Sequence, residues 1–232
     1  MTKRNLVTKL DRRLQYIINA VGYCRRVIDI GTDHALLPLA LAYQNKCEEI
    51  IAIDISSAAC DRARKSILRA GAGNSIRLIN SEGLKAVTVK ATDIIVLAGL
   101  GGKEIISILS DALPLPGGVK LIIQAQSDLV LVRKFLQANN WMFLAEDVVE
   151  AKSYPYVIIS VLTETVEYKL SDIEVALGPL LTYRWQSREP TAAERMLLER
   201  ELRYRAKMFQ PSAVDREITA YIHRLLAHRY AL

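Results

Sequence analysis

The sequence has little that would tie a fold together covalently or through metal. Its three cysteines, Cys24, Cys47 and Cys60, form no C-x-x-C pair. That argues against a disulfide framework and reads as buried or inert thiols in a reduced compartment. Three histidines, His34, His223 and His228, show no clustered ligand spacing, so no metal site is expected. No apolar run reaches about 18 residues, and no transmembrane helix is predicted. Met1 to Leu6 is basic but has no long apolar stretch and no cleavage site. It does not read as a signal peptide, and the expected location is the cytoplasm. Internal repeats and low-complexity segments are also missing. So is the G-x-G-x-x-G fingerprint, which disfavours a dinucleotide oxidoreductase. Nothing marks an oligomer, and a monomer is the expectation.

What is present is apolar residue in quantity and unevenly distributed charge. The chain has 232 residues, 51% of them hydrophobic, enough for one α/β domain and an appendage. Residues 1–26 carry a charge of +6, residues 27–181 carry −4 and residues 182–232 carry +4. A near-neutral body between two basic ends suggests a polyanionic partner; solvated helix faces are the plainer alternative.

The stretch Val27-Ile28-Asp29-Ile30-Gly31-Thr32-Asp33-His34 organises the rest. Val27–Ile30 reads as a buried strand, Gly31 as a tight turn, and a helix follows. That is the usual cradle for a nucleotide-like cofactor. A dinucleotide loop would place its second glycine where Asp33 stands. A carboxylate there repels a diphosphate, whereas Asp29 and Asp33 attract a sulfonium and an ammonium group. Such a unit pair near a protein surface is worth roughly 4 kcal/mol at about 4 Å. The loop therefore reads as an S-adenosylmethionine site, with helix capping by Asp33 as the structural alternative. Pro38 suits a first helical position, so the helix is expected to begin near it. Residues 31–37, His34 among them, would form the loop.

A strand over Ile50–Asp54 ends in a carboxylate placed for ribose hydroxyls. A helix over Ser56–Ala70, a strand over Ser75–Ile79 and a polar tip at Asn80–Leu84 follow. Thr92–Ala98 is a near-continuous apolar strand, as at the centre of a parallel sheet. Gly99-Leu100-Gly101-Gly102 then permits close approach by a ligand or base. Further elements are a helix over Lys103–Leu113, a strand over Val119–Gln124 and a helix over Asp128–Asn139. Strands over Trp141–Leu144 and Tyr156–Val161 flank a Glu146–Ser153 loop as an antiparallel edge. Apolar steps from Leu6 to Val21 predict an N-terminal helix over 3–21. Beyond residue 165 come a connector at Leu177–Leu181, a T-x-x-E capping box at Thr191, and two amphipathic helices bearing Arg195, Arg203 and Lys207. The fold class is α/β: a Rossmann-like, seven-stranded class I domain over 1–165, with a helical, coiled-coil appendage over 166–232.

Taken together, D-I-G-T-D-H-A-x-L-P (29–38), L-A-G-L-G-G (97–102), I-I-Q (122–124), Asn139 with Trp141, the Y-x-x-I-I stretch from Tyr154 or Tyr156, and L-G-P-L-L (177–181) closely resemble the bacterial tRNA (adenine(22)-N1)-methyltransferases of the TrmK family. The resemblance covers essentially the whole chain. It implies S-adenosylmethionine as methyl donor, tRNA as acceptor and a helical tail that helps hold it. Carried over by position, Asp29, Gly31 and Asp33 would line the methionine end, Asp54 the ribose, and Ser81-Glu82-Gly83-Leu84 the adenine; Thr32, Ile55, Ala98 and Gly99 complete the cofactor-binding candidates. Glu82 stands where the family has an aspartate, and Gln124-Ala125-Gln126 where it has Q-P-N. Arg12, Arg13, Gly101, Gly102, Gln124, Arg195, Arg203 and Lys207 are the candidate RNA contacts.

Adenine N1 attacks a sulfonium methyl through an in-plane lone pair, and no proton must leave first. Alignment and a nearby negative charge matter more than a strong base. Asp33 is the first candidate for that charge and His34 the second. N1 lies on the pairing edge, so the base must be unpaired or flipped out. A methyltransferase for a small molecule or protein, or a non-catalytic RNA-binding protein with a retained pocket, are the rival readings.

Overall fold

The computed structural model describes residues 10–227. The first part of the expected N-terminal helix, with Lys3, Arg4 and Lys9, lies outside them, as does His228. Helix α1 (Arg12–Val21) starts at Asp11, whose side chain accepts from the Leu14 N–H. The alternating units are β1 (Cys24–Ile30), α2 (Leu36–Tyr43), β2 (Cys47–Asp54), α3 (Ser57–Arg69), β3 (Ile76–Asn80), β4 (Asp93–Leu100), α4 (Gly102–Asp111), β5 (Lys120–Ala125) and α5 (Leu129–Ala138). A hairpin follows, β6 (Trp141–Ala151) and β7 (Tyr154–Thr165), then α6 (Asp172–Leu177), α7 (Pro179–Arg184), α8 (Ala192–Arg205) and α9 (Ala213–Ala227).

The strands form one sheet in the order β3-β2-β1-β4-β5-β7-β6, with β7 antiparallel to both neighbours. The strands are apolar on both faces because both faces are covered. Ile28, Ile51, Ile95, Leu121 and Ile159 point to one side, where α4, α5 and α6–α9 pack. Val27, Ile50, Ile94, Ile122 and Ile158 point to the other, against α1–α3. The C-terminal helices thus share a core with the sheet: Leu197, Leu198, Ile218 and Ile222 are buried in the same cluster as Ile28.

Two expectations are corrected. Residues 146–151, read as loop for their charge, continue β6 to Ala151. Glu146 is fully buried and takes a 2.9 Å bond from Arg133 Nε, and Asp147 accepts from Tyr16 on α1 and Arg184 on α7. Paired charge behaves as core, so the polar pattern misleads. Lys152 and Ser153 make the turn at φ +51° and +57°, the values of a tight primed turn without its usual Asn-Gly. Helix α2 also begins two residues before Pro38, which is tolerated because the first turn has no intrahelical partner for the missing N–H. Cys24 and Cys47 are direct neighbours across β1 and β2. The Cys47 thiol beside it holds the Cys24 thiol below its usual range.

The Arg133–Glu146 pair pins the tail. Arg133 Nη1 donates to Val175 O and Ala176 O at 3.1 and 2.9 Å, and Glu146 accepts from Leu180 N at 3.3 Å. Gly178 sits at φ +114°, and a Cβ there would collide with the Glu146 carboxylate. Arg133→Met leaves a buried carboxylate unpaired, and urea unfolding is expected to show a loss of about 3–5 kcal/mol. Arg133→Met/Glu146→Leu should recover much of it.

Candidate functional site

Strand order reverses between β1 and β4, and ligands of open α/β sheets sit at such a switch point, off the carboxyl ends of the strands. A cavity of about 260 Å³ lies there. Its wall brings together five expected residues: Gly31, Asp54, Ile55, Glu82 and Gly83. It adds Ser81, from the expected polar tip, together with Ile30, Leu100, Glu104, Ser107 and Ile108, which were not among the expected site residues. Glu104, Ser107 and Ile108 are spaced i, i+3, i+4, so they share one face of α4; that periodicity was the available signal. The wall holds three carboxylates and no lysine or arginine. Gly31 has φ +75°, and a Cβ there would stand 2.8 Å from Leu100, so backbone is needed where the cavity narrows. This donor set fits the cationic, phosphate-free S-adenosylmethionine and not a diphosphate. Asp54 and Ile55 would take its ribose, Gly31 its methionine end, and Glu82 and Gly83 its adenine.

Asp54 also builds the loop. One oxygen accepts from Asp33 N and the other from Ser56 N, both at 3.0 Å, and each keeps a free lone pair for a hydroxyl donor. Asp33 and Ala35 hold left-handed φ values of +41° and +55°, backbone strain of the kind that clusters at ligand sites. The Asp33 carboxylate turns outward, 51% exposed, and meets Arg62 at 2.6 Å and His34 at 3.5 Å. Asp29 is buried beneath the loop. Burial, with a smaller push from Asp54, raises its pKa to about 7. Thr32, itself buried, opposes the shift through its hydroxyl, although that oxygen makes no bond of full geometry.

The acceptor-side candidates separate. Gly99 is a bulge at φ +83° whose missing Cβ leaves room 3.5 Å from Arg13 Nη1 and 3.9 Å from Gln126 Nε2. Gly101 caps α4. Gly102 is structural, because a Cβ there would lie 2.5 Å from Ser127 O. Gln124 is fully buried, accepting from Arg13 and donating to Ala125 O. It cannot face a substrate, whereas Gln126 is exposed and lies near Gly99. Arg13 turns inward to Gln124 and over the Tyr156 ring at 5.4 Å, so it is a wall residue and not a surface grip. Arg12, Arg203 and Lys207 are exposed, while Arg195 bridges to Glu189 at 3.2 Å.

Asp29 gives a stability signature. Its folded pKa lies above the unfolded value of about 3.9, so the folded state binds the extra proton. Stability should fall as pH rises from about 4 to about 7, by at most about 4 kcal/mol. Asp29→Asn should flatten that slope in thermal unfolding across pH.

Comparison with known proteins shows the family of the chain. Residues 10–159 match the family model described as "Methyltransferase domain". The Bacillus subtilis tRNA (adenine(22)-N(1))-methyltransferase is 28% identical over 152 residues, 65% of this chain and 64% of that enzyme. A Mycoplasma pneumoniae protein, provisionally named a tRNA methyltransferase, is 31% identical over 178 residues, 74% of this chain and 81% of its own. Among solved structures, a Streptococcus pneumoniae protein provisionally named a tRNA (m1A22) methyltransferase, in complex with S-adenosyl-L-methionine, superposes with a TM-score of 0.81. That match is at 25% identity over 93% of this chain and 98% of that one. Fold and sequence agree, and the chain belongs to the methyltransferase-domain family and, within it, to the TrmK family.

Proposed function

We propose that this protein transfers a methyl group from S-adenosylmethionine to N1 of adenine 22 in tRNA, in the cytoplasm. The observation that carries the reading is the cavity at the switch point, whose ionisable lining residues, Asp54, Glu82 and Glu104, are all acidic; its lining residue Leu100 follows the Gly99 bulge, and Gln126 lies near that bulge. The cofactor, when bound, supplies an electrophilic methyl on a sulfonium centre. The chain's own residues do the rest. Asp54 holds the 31–35 loop and receives hydroxyl donors. Asp29 and Asp33 set a negative potential that favours the cation. Gly99 leaves space for a planar base, and Gln126 offers a donor and an acceptor to its edge. No residue is needed as a strong base, since N1 carries no proton to remove. Asp33 stabilises the positive charge that develops on the ring, and its exposed pairing with Arg62 costs little to break.

The tRNA reading rests on charge as well as kinship. Arg12, Arg203 and Lys207 are exposed at the two basic ends of the chain, available to phosphates in a salt-dependent way. The direct test is methyl transfer from labelled S-adenosylmethionine to unmodified tRNA. Label is expected in N1-methyladenosine, and a tRNA with guanosine at position 22 should take up none. Label in protein or small molecules only would overturn the proposal. For the charge role, Asp33→Asn should lose about 10²- to 10³-fold in kcat at saturating S-adenosylmethionine. Full turnover by that variant would remove Asp33 from the chemistry.

A further inference from the structure

A second depression adjoins the acceptor side. It runs from Gln126 and Ser127, past the start of β7, to α8, and encloses about 380 Å³. Tyr154, Tyr156 and Tyr204 line it with Arg200, over a floor that includes Leu177 and Leu197. Tyr154 and Tyr156 stand 4.8 Å apart between ring centres. Arg200 lies 5.1 Å over Tyr154 and donates to its hydroxyl at 2.7 Å, and Arg13 lies over Tyr156 at the other end. The result is a chain of contacts, Arg13–Tyr156–Tyr154–Arg200, with the two rings tilted 55° to each other, which joins α1 to α8 across the hairpin. Tyr154 is 37% and Tyr204 63% exposed.

We propose that this groove seats a second, unpaired nucleobase of the RNA, next to the one that is methylated. The idea rests on the tRNA reading above and adds a subsite to it. Tyr204, 63% exposed on the groove, presents a ring face on which any base can stack, with the exposed part of Tyr154 and the Arg200 guanidinium beside it. Glu201 shares the groove and lies 3.5 Å from Arg200. Its carboxylate disfavours a phosphate there and accepts from a base's amino group, so the occupant is a base and not backbone. The groove meets the acceptor site through Gln126, which lines it and stands 3.9 Å from the position of a Gly99 Cβ. Flipping one adenine out of a helix unstacks its neighbour, and this surface restores the lost stacking.

Steady-state kinetics with tRNA tests the subsite. Tyr154→Ala/Tyr204→Ala should raise KM for tRNA about tenfold or more at nearly unchanged kcat, with cofactor affinity unchanged. Tyr154→Phe should keep the wild-type KM, since it keeps the ring. A tRNA carrying 2-aminopurine at the nucleotide beside position 22 should be quenched on binding the wild-type protein, and this reading needs no variant. Unchanged KM in the double variant, or no quenching by the wild type, overturns the subsite while leaving wild-type methylation intact. Absence of methylation by the wild type overturns the functional reading and the subsite with it.

Discussion

Reversal of strand order between β1 and β4 is the constraint on which the rest depends. Parallel strands 3-2-1 run one way from the centre and 4-5 the other, so their crossover helices part above the carboxyl ends. The gap takes loops in place of helices, and loops can carry carboxylates and strained backbone. Every residue of the acidic cavity lies on, or just past, that edge or on the facing side of α4. Gly102 lets α4 start hard against the Ser127–Asp128 turn. Gly31 and Gly99 keep side chains off the two approaches. One topological fact therefore brings the acidic cavity and the Gly99 bulge to the same sheet edge.

Pairing of charge inside the fold is the second theme. Arg26 grips Asp93 at 2.6 and 2.8 Å and also donates to Thr88 O. Arg188 and Trp185 share Glu194, and Arg205 meets Asp215 at 2.6 Å. Burial raises the Glu146 carboxyl and Arg133 opposes that shift. Much of the arginine content thus holds helices to the sheet. The +6 net charge overstates what is left at the surface for a polyanion.

The sheet and the loop chemistry were legible because local rules decide them. Continuous apolar runs, the Gly31 turn and the Thr191 capping box each sit in a few adjacent residues. The box is present, with Thr191 and Glu194 bonding each other's backbone. What the sequence hid depends on partners far along the chain. Asp33 is paired by Arg62 on α3, Gln124 is consumed by Arg13, and the carboxylates of β6 are bonded from α1, α5 and α7. The chain of tyrosine contacts joins Arg13, the β7 tyrosines and Arg200 across more than 180 residues of sequence, so no local pattern could announce it.

The central claim is that one edge of the sheet serves both reactants. A structure of the protein with S-adenosylhomocysteine and tRNA would test it most directly. The account predicts the extruded adenine between Gly99 and Gln126, with N1 facing the cofactor sulfur across the Gly99 bulge. An adenine that enters instead past Ile108 and Glu104 on α4 would contradict it.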